Sequence, residues 1–289
     1  MTAKGDFHLH STASDGVQSP TWVMERAYAQ GVATLALTDH DTTEGLAEAT
    51  QAAKRLGLRL IPGMELSTDL GPADVHLLAF GFDISAPPVQ AFLKSQRDGR
   101  IGRTRTILEI LAKNGMVLEM SRVLEIAGEA TVGRPHVARA LIEKGYVSSV
   151  QQAFDDWLGN GKAADVNREK LSPADAIALI HAQGGVVFAA HPVFIGADYE
   201  TPLGQLAEWG LDGIETYYKH YDEATVEHHR AIAERLGLGT SGGSDYHGLG
   251  NPDDREIGDI PFPDREADAF IDFLESKHVH TLFLAEPKR

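Results

Sequence analysis

Two short motifs at opposite ends of the chain constrain its fold more than any other feature. His8-Leu9-His10 lies near the start, and Asp245-Tyr246-His247 lies near the end. In a strand, residues i and i+2 point to the same face. Each motif therefore aims two metal-ligand side chains the same way. Ligands from opposite ends of a chain meet in one place only if the fold closes on itself.

The sequence between them supplies the elements for closure. Asp6–His10 reads as a strand. Ser19-Pro20 provides an N-cap and a first-turn proline for a helix running to Gly31. Ala33–Thr38 reads as a buried strand, and a helix runs from Thr42/Thr43 to Leu56, ended by Gly57. Leu58–Ser67 and Val75–Phe82 are further strands. From Pro88 to Glu169 four helical patterns follow one another, at 88–114, 119–128, 135–145 and 149–158, with no convincing strand between them. After Ser172-Pro173 the alternation returns. Gly185–Ala190, Gly213–Thr216, Gly239–Gly243 and Val279–Leu284 read as strands, with helices near 202–210, 222–236 and 264–277.

Roughly seven strands alternating with helices imply a parallel α/β sheet. An open doubly wound sheet would carry a glycine-rich phosphate loop after its first strand. That position holds His8-Leu9-His10-Ser11-Thr12, which favours a barrel. The expected organisation is a barrel built from 1–90 and 170–289, with 91–169 as an inserted helical domain for substrate recognition.

The 289 residues include no cysteine. That excludes disulfides, a Cys₄ zinc site and a thiol nucleophile. No charged N-terminal region precedes an apolar stretch, and no apolar run reaches the ~18–20 residues of a membrane span. A soluble cytoplasmic protein without a membrane partner is the expectation. The net charge of −16 argues against general nucleic-acid affinity. Charge is unevenly spread, however. Segment 94–170 has 13 basic and 10 acidic residues, net +3, and the remainder is net −19. The basic island suits either a local anion site or an ordinary solvated helical surface.

Ionisable and imidazole residues gather at expected strand ends. They are His8, His10, Asp15, His40 within Asp39-His40-Asp41, Glu65, His76, His191, Asp245 and His247. In α/β barrels the C-terminal strand ends form the active face. Nine nitrogen and oxygen ligands without cysteine suit two or three ions such as Mn²⁺, Zn²⁺ or Fe²⁺. One ion takes ~4–6 ligands, so nine imply more than one metal, with Glu65 as the bridge. Asp39 and Asp41 could orient imidazoles or cap the helix that follows. His181, His228, His229, His278 and His280 are expected to bind no metal. Tyr217 and Tyr218 follow the strand Gly213–Thr216; core packing at a strand end is the expectation, and one of them edging the site is the alternative.

With these residues the chain resembles the PHP family of polymerase and histidinol phosphatase phosphoesterases. The matching pieces are Asp6-Phe7-His8-Leu9-His10-Ser11, Asp15-Gly16, Thr38-Asp39-His40-Asp41, Gly63-Met64-Glu65, Ala190-His191-Pro192 and Gly243-Ser244-Asp245-Tyr246-His247. The resemblance implies a distorted (β/α)₇ barrel with a trinuclear metal site. It assigns one metal to His8, His10, Glu65 and Asp245. A second goes to Glu65, His76 and His191, and a third to Asp15, His40 and His247. Some members have His where this chain has Asp15.

The insertion resembles a nucleotide-acting subfamily through Gly133-Arg134-Pro135-His136-Val137-Ala138-Arg139 and Leu158-Gly159-Asn160-Gly161. Val166-Asn167-Arg168 stands where that subfamily often has Val-Pro-Arg. The implied activity is hydrolysis of phosphate monoesters of nucleotides, AMP or nucleoside 3′,5′-bisphosphates, by a metal-bridging hydroxide. Mn²⁺ is the first candidate ion. Glu65, Asp245 and His247 are the candidate catalytic residues, with either a metal-bound water or His247 supplying a proton to the leaving group. Arg134, His136 and Arg168 are the candidate substrate contacts, Arg134 by standing at a helix start. Arg97, Arg100 and Arg103 recur along one helix face and are expected to be solvated.

Other readings stay open. A 5′–3′ exoribonuclease on short RNA could use the same site, because chain ends bind through few phosphates. Histidinol phosphatase is a third reading, which the insertion disfavours. An amidohydrolase would also suit His8-Leu9-His10, but usually places a modified lysine on a middle strand. Glu65 and His76 occupy the middle strands, and no lysine ends one.

Overall fold

The computed structural model describes residues 4–71, 73–128, 132–159, 161–166, 170–250 and 254–287. In chain order, β1 (Gly5–Asp6) precedes α1 (Pro20–Gln30), β2 (Thr34–Leu37) and α2 (Leu46–Leu56). The adjacent strands β3 (Arg59–Leu70) and β4 (Ala73–Phe80) come next. Then follow α3 (Pro87–Lys113), α4 (Met120–Ala127), α5 (Arg134–Glu143) and α6 (Val150–Ala153), the last continued by a π turn at Phe154–Leu158. The chain goes on through α7 (Pro173–His181), β5 (Val186–Ala189), α8 (Glu200–Glu208), β6 (Gly213–Tyr218), α9 (Glu223–Leu236), β7 (Gly239–Gly243) and α10 (Asp264–Ser276). Two compact units result, Met1–Gln90 with Lys170–Arg289, and Ala91–Glu169. Among the described residues no helix is long and apolar enough to cross a membrane.

Local chemistry sets the helix starts. The Ser19 hydroxyl accepts the Trp22 N–H at 3.2 Å, and Pro20 occupies the first turn of α1. Ser172 and Pro173 repeat the device at α7, the hydroxyl accepting the Asp175 N–H at 3.1 Å.

The seven strands form one sheet in the order β1 to β7. Its ends meet. The Phe7 N–H donates to the Gly242 carbonyl at 3.0 Å, the Asp245 N–H to the His8 carbonyl at 2.8 Å, and the His10 N–H to the Tyr246 carbonyl at 3.0 Å. The barrel is therefore nearly closed, its two ends bridged by these bonds. Gly243 permits this approach, because a Cβ there would overlap the Cβ of His8.

The sheet differs from the expected all-parallel one. β4 pairs antiparallel with both β3 and β5. No helix separates β3 from β4, so the chain turns straight back. The reversal carries His76, near the start of β4, opposite Ser67 near the end of β3. His76 thus reaches the active face from the N-terminal half of its strand. The expected strand Val279–Leu284 is absent; only Leu60 and Ala285 form an isolated antiparallel bridge nearby. The segments after β1 and β7 bond directly to each other, so no strand is inserted between them.

Two apolar clusters hold the strands of the first unit. Phe80, Phe188 and Phe270 meet edge to face, with centroids 5.2–5.8 Å apart. Leu9, Val23, Met24, Leu35 and Leu60 form the other cluster, against α1 and α2. Each such buried side chain contributes about 1.5–3 kcal/mol. The second unit has its own core, including Ile107, Leu111, Val123, Val137, Leu141 and Leu158.

Candidate metal centre

Leu9 and Tyr246 enter the aliphatic core and form a parallel bridge. Their neighbours turn the opposite way, so His8, His10, Asp245 and His247 face one another. The β1 ladder itself ends at Asp6 rather than at His10, yet the alternation continues beyond it.

Glu65, fully buried near the middle of β3, is the centre of the cluster. Its Oε2 lies 3.1 Å from His8 Nε2, 3.2 Å from His10 Nε2 and 3.2 Å from His40 Nδ1. Its Oε1 lies 2.8 Å from His76 Nδ1 and 3.2 Å from His191 Nε2. Asp245 Oδ1 lies 3.4, 3.1 and 3.5 Å from His8 Nε2, His10 Nε2 and His247 Nδ1. Asp15 reaches His10, His40 and His247 at 3.7, 3.8 and 3.4 Å. All nine residues singled out in the sequence are thus brought together.

Among the described residues, donor atoms close enough to share an ion fall into three sets. They are His8, His10, Glu65 and Asp245; His40, Glu65 and His76; and His10, Asp15, His40 and His247. The second set contains His40 where the resemblance assigns His191, and the third adds His10.

The donor chemistry fits divalent cations. Both ring nitrogens of His10 and Nδ1 of His40 are buried with no hydrogen-bond partner, although carboxylate oxygens lie close by. A deprotonated ring nitrogen facing a carboxylate oxygen is repulsive. A cation between them turns both lone pairs into ligands.

The electrostatics point the same way. Burial alone would raise the Glu65 carboxyl, but the imidazoles, His40 foremost, hold it well below the usual range. Asp15 and Asp245 are likewise held down against burial, by His247 first in each case. Burial lowers His40 to about 4. His76 and His247 go the other way, to about 10, because Glu65 and Asp15 respectively outweigh their burial. Asp41, His191 and Asp245 also adopt positive φ of 51°, 26° and 49°. Such backbone costs about 1–3 kcal/mol per residue and persists where surroundings enforce it.

A supporting layer of side chains holds the cluster, and Glu215 and Lys219 in it carry no motif of their own. Glu215, buried on β6, accepts from His8 Nδ1 at 3.0 Å and from the His191 N–H at 2.7 Å. Its only sequence signal was a carboxylate inside an apolar strand. Tyr218 donates its hydroxyl to Asp245 Oδ2 at 2.8 Å, so it edges the site instead of only packing; Tyr217 does lie in the core. Lys219, directly after β6, donates to the Asp245 carbonyl at 2.9 Å. A lysine therefore does end a strand, though away from β3 and β4. Asp39 accepts from the Ser11 N–H and hydroxyl, both at 2.7 Å, and from the Ser14 hydroxyl at 2.6 Å. Asp41 accepts from the Ser67 N–H and hydroxyl at 3.0 Å. These two carboxylates tie loops to the barrel; α2 has Gly45 at its N-cap and no side-chain cap.

In the insertion, Arg134 opens α5, donates to the Leu158 carbonyl at 3.0 Å and lies over the Phe154 ring. His136 is buried, and its Nδ1 accepts the Gly133 N–H at 3.0 Å. Arg168 lies outside the described residues. Arg97, Arg100 and Arg103 are half-buried rather than solvated, and Arg103 reaches Asp165 at 4.0 Å.

A nearly closed α/β barrel with histidines and carboxylates converging at one mouth defines a metallohydrolase type of site. The PHP domain model matches residues 6–80. The chain is 41% identical over 251 residues to a 5′-3′ exoribonuclease of Haemophilus influenzae, covering 86% of this chain and 91% of that protein. It is 35% identical over 262 residues to a 3′,5′-nucleoside bisphosphate phosphatase of Chromobacterium violaceum, covering 89% and 92%. A solved structure from Chromobacterium violaceum, described as an amidohydrolase with bound sulfate, superposes with a TM-score of 0.84 at 33% identity, covering 98% and 99%. One from Bifidobacterium adolescentis, described as a metal-dependent phosphoesterase, gives 0.82 at 30% identity, covering 93% and 96%. The chain belongs to the PHP family and is a metal-dependent phosphoesterase.

Proposed function

We propose that the chain hydrolyses phosphate monoesters of nucleotides, AMP or nucleoside 3′,5′-bisphosphates, at a site holding two or three divalent ions. The supporting observation is the convergence of five imidazoles on Glu65, with buried ring nitrogens left unpartnered. The bisphosphate phosphatase relative supports the substrate class. His8, His10, Glu65 and Asp245 would hold one ion. Glu65 and His76, with His40 or His191, would hold a second, and Asp15, His40 and His247 a third. The nitrogen and oxygen donors suit Mn²⁺ first, with Zn²⁺ or Fe²⁺ as alternatives. Bound ions would make a water acidic enough to attack phosphorus and would offset charge on the phosphoryl oxygens.

The chain's own residues fix this arrangement. Glu65 presents one carboxylate oxygen to each side of the cluster. Tyr218 takes Asp245 Oδ2, which leaves Oδ1 facing His8 and His10. Lys219 places a positive charge beside Asp245. With the third ion bound, His247 would serve as its ligand and a metal-bound water would supply the proton to the leaving alkoxide; with two ions only, His247, beside Asp15 and Asp245, is the proposed donor. Arg134 and Arg168 are proposed to contact substrate phosphate, and His136 to fix the helix start that carries Arg134. The net +3 of segment 94–170 supports an anionic substrate.

The second reading is 5′–3′ exonucleolytic cleavage of short RNA, favoured by the relative of that name at 41% identity. A single screen separates them. The Mn²⁺-loaded protein is offered AMP, 3′-AMP, adenosine 3′,5′-bisphosphate, histidinol phosphate and 5′-phosphorylated oligoribonucleotides. Inorganic phosphate from nucleotides supports the first reading, and mononucleotides released from oligomers the second. No hydrolysis of any of them would overturn both and favour C–N bond hydrolysis.

A further inference from the structure

The short 3-10 turn Pro192–Ile195 starts directly after His191. Its Phe194 is 62% exposed, the highest value among the large apolar side chains of the described residues. A lone exposed apolar residue is ordinary. This one is held at two edges, however. Its ring meets His191 at 5.3 Å and 65°, and Tyr218 at 5.7 Å and 78°. Both neighbours are themselves tied to the cluster. The His191 N–H donates to Glu215 at 2.7 Å, its Nε2 lies 3.2 Å from Glu65, and the Tyr218 hydroxyl donates to Asp245 at 2.8 Å. The ring is therefore oriented by the groups that hold the hydrolytic site, while most of its surface meets solvent.

Resting on the nucleotide reading above, we propose that Phe194 is the platform on which the base of the substrate stacks. The ring stands beside His191, itself 3.2 Å from Glu65, so a phosphate ester held among the histidines would carry its attached group past this face. Stacking on an aromatic side chain contributes about 1–3 kcal/mol per base, and every base has a suitable face. Selection should therefore favour nucleotides over abasic sugar phosphates, with little choice among bases. Such binding is equal in ground and transition states, so it acts on KM more than on kcat.

The test uses the full chain loaded with Mn²⁺. Adenosine 3′,5′-bisphosphate and AMP are each paired with the abasic sugar phosphate. In Phe194→Ala the preference for base-bearing over abasic substrate, as a ratio of kcat/KM, should fall by about 5- to 150-fold, carried by KM. Phe194→Tyr should restore it. In Phe194→Trp, indole emission should be quenched by adenosine 3′,5′-bisphosphate and not by its abasic counterpart. An unchanged ratio in Phe194→Ala, or loss of kcat and metal content together, overturns the platform while the nucleotide reading stands. A wild-type protein that hydrolyses no nucleotide overturns both.

Discussion

Replacing Glu215 by glutamine tests how the cluster is held. Glu215 uses one oxygen for His8 Nδ1 at 3.0 Å and the other for the backbone N–H of His191 at 2.7 Å. As a carboxylate it accepts twice, so the hydrogen-bond network assigns the His8 proton to Nδ1 and leaves Nε2 to face Glu65 and Asp245. Glutamine has the same shape but only one accepting oxygen. The His191 N–H cannot become an acceptor, so the amide oxygen must serve it. The amide NH₂ then faces His8 Nδ1 and draws the ring into the other tautomer. A proton on Nε2 blocks the atom that would bind metal.

Loss of such an orienting partner typically weakens metal binding or activity by about 10- to 100-fold. At about 1.4 kcal/mol per factor of ten, that is about 1.4–2.7 kcal/mol. The same range follows from exchanging a charge-assisted hydrogen bond, about 1.5–3 kcal/mol, for a mismatched neutral contact. Mn²⁺ affinity is measured by equilibrium dialysis with elemental analysis, next to steady-state hydrolysis and thermal unfolding. Glu215→Gln should bind Mn²⁺ 10- to 100-fold more weakly with the fold retained. Unchanged affinity in a folded Glu215→Gln protein would refute the tautomer argument. Equal losses for Glu215→Gln and Glu215→Leu would assign the effect to lost charge alone.

Glu65→Ala should remove more than one ion at once and abolish hydrolysis, since five imidazoles lie against that carboxylate; full metal content by elemental analysis would rule out its bridging role. Arg134→Ala should raise KM for nucleotides at least 10-fold more than for p-nitrophenyl phosphate, roughly the loss of one charge-assisted hydrogen bond. Equal shifts on both substrates, in a protein whose unfolding temperature is kept, would remove it from substrate recognition. His229, buried on α9 and away from the cluster, is lowered by burial to about 4. The unfolded chain takes up that proton near pH 6.5 and the folded chain only near 4, so stability present above 6.5 is lost as pH falls through this window. The loss is on the order of 3 kcal/mol, and His229→Gln should flatten that limb of a denaturation-against-pH series.

Much of the site was legible because its chemistry is local and its geometry repetitive. His8 and His10 flank Leu9, and Asp245 and His247 flank Tyr246, so alternation separates ligand faces from core faces even past the end of the β1 ladder. Helix starts at Ser19-Pro20 and Ser172-Pro173 were equally readable, since caps and prolines act within a few residues. Strand direction was not. β3 and β4 each read as apolar strands whichever way they run, and only their pairing shows the reversal that lets His76 serve from the start of its strand. Nor does an apolar run such as Val279–Leu284 reveal that the segments after β1 and β7 already bond to each other.

What the sequence determined by itself is the inventory: nine nitrogen and oxygen ligands, no thiol, and an alternation around Leu9 and Tyr246 that sets ligand faces against core faces. Ligand type and alternation are properties of single residues and their near neighbours. What only the tertiary structure decided is which atoms meet and what holds them. Glu215 lies 207 positions from His8, and Tyr218 lies 27 from Asp245. Partners so far apart become neighbours only when the barrel closes, and closure depends on packing summed over the whole chain.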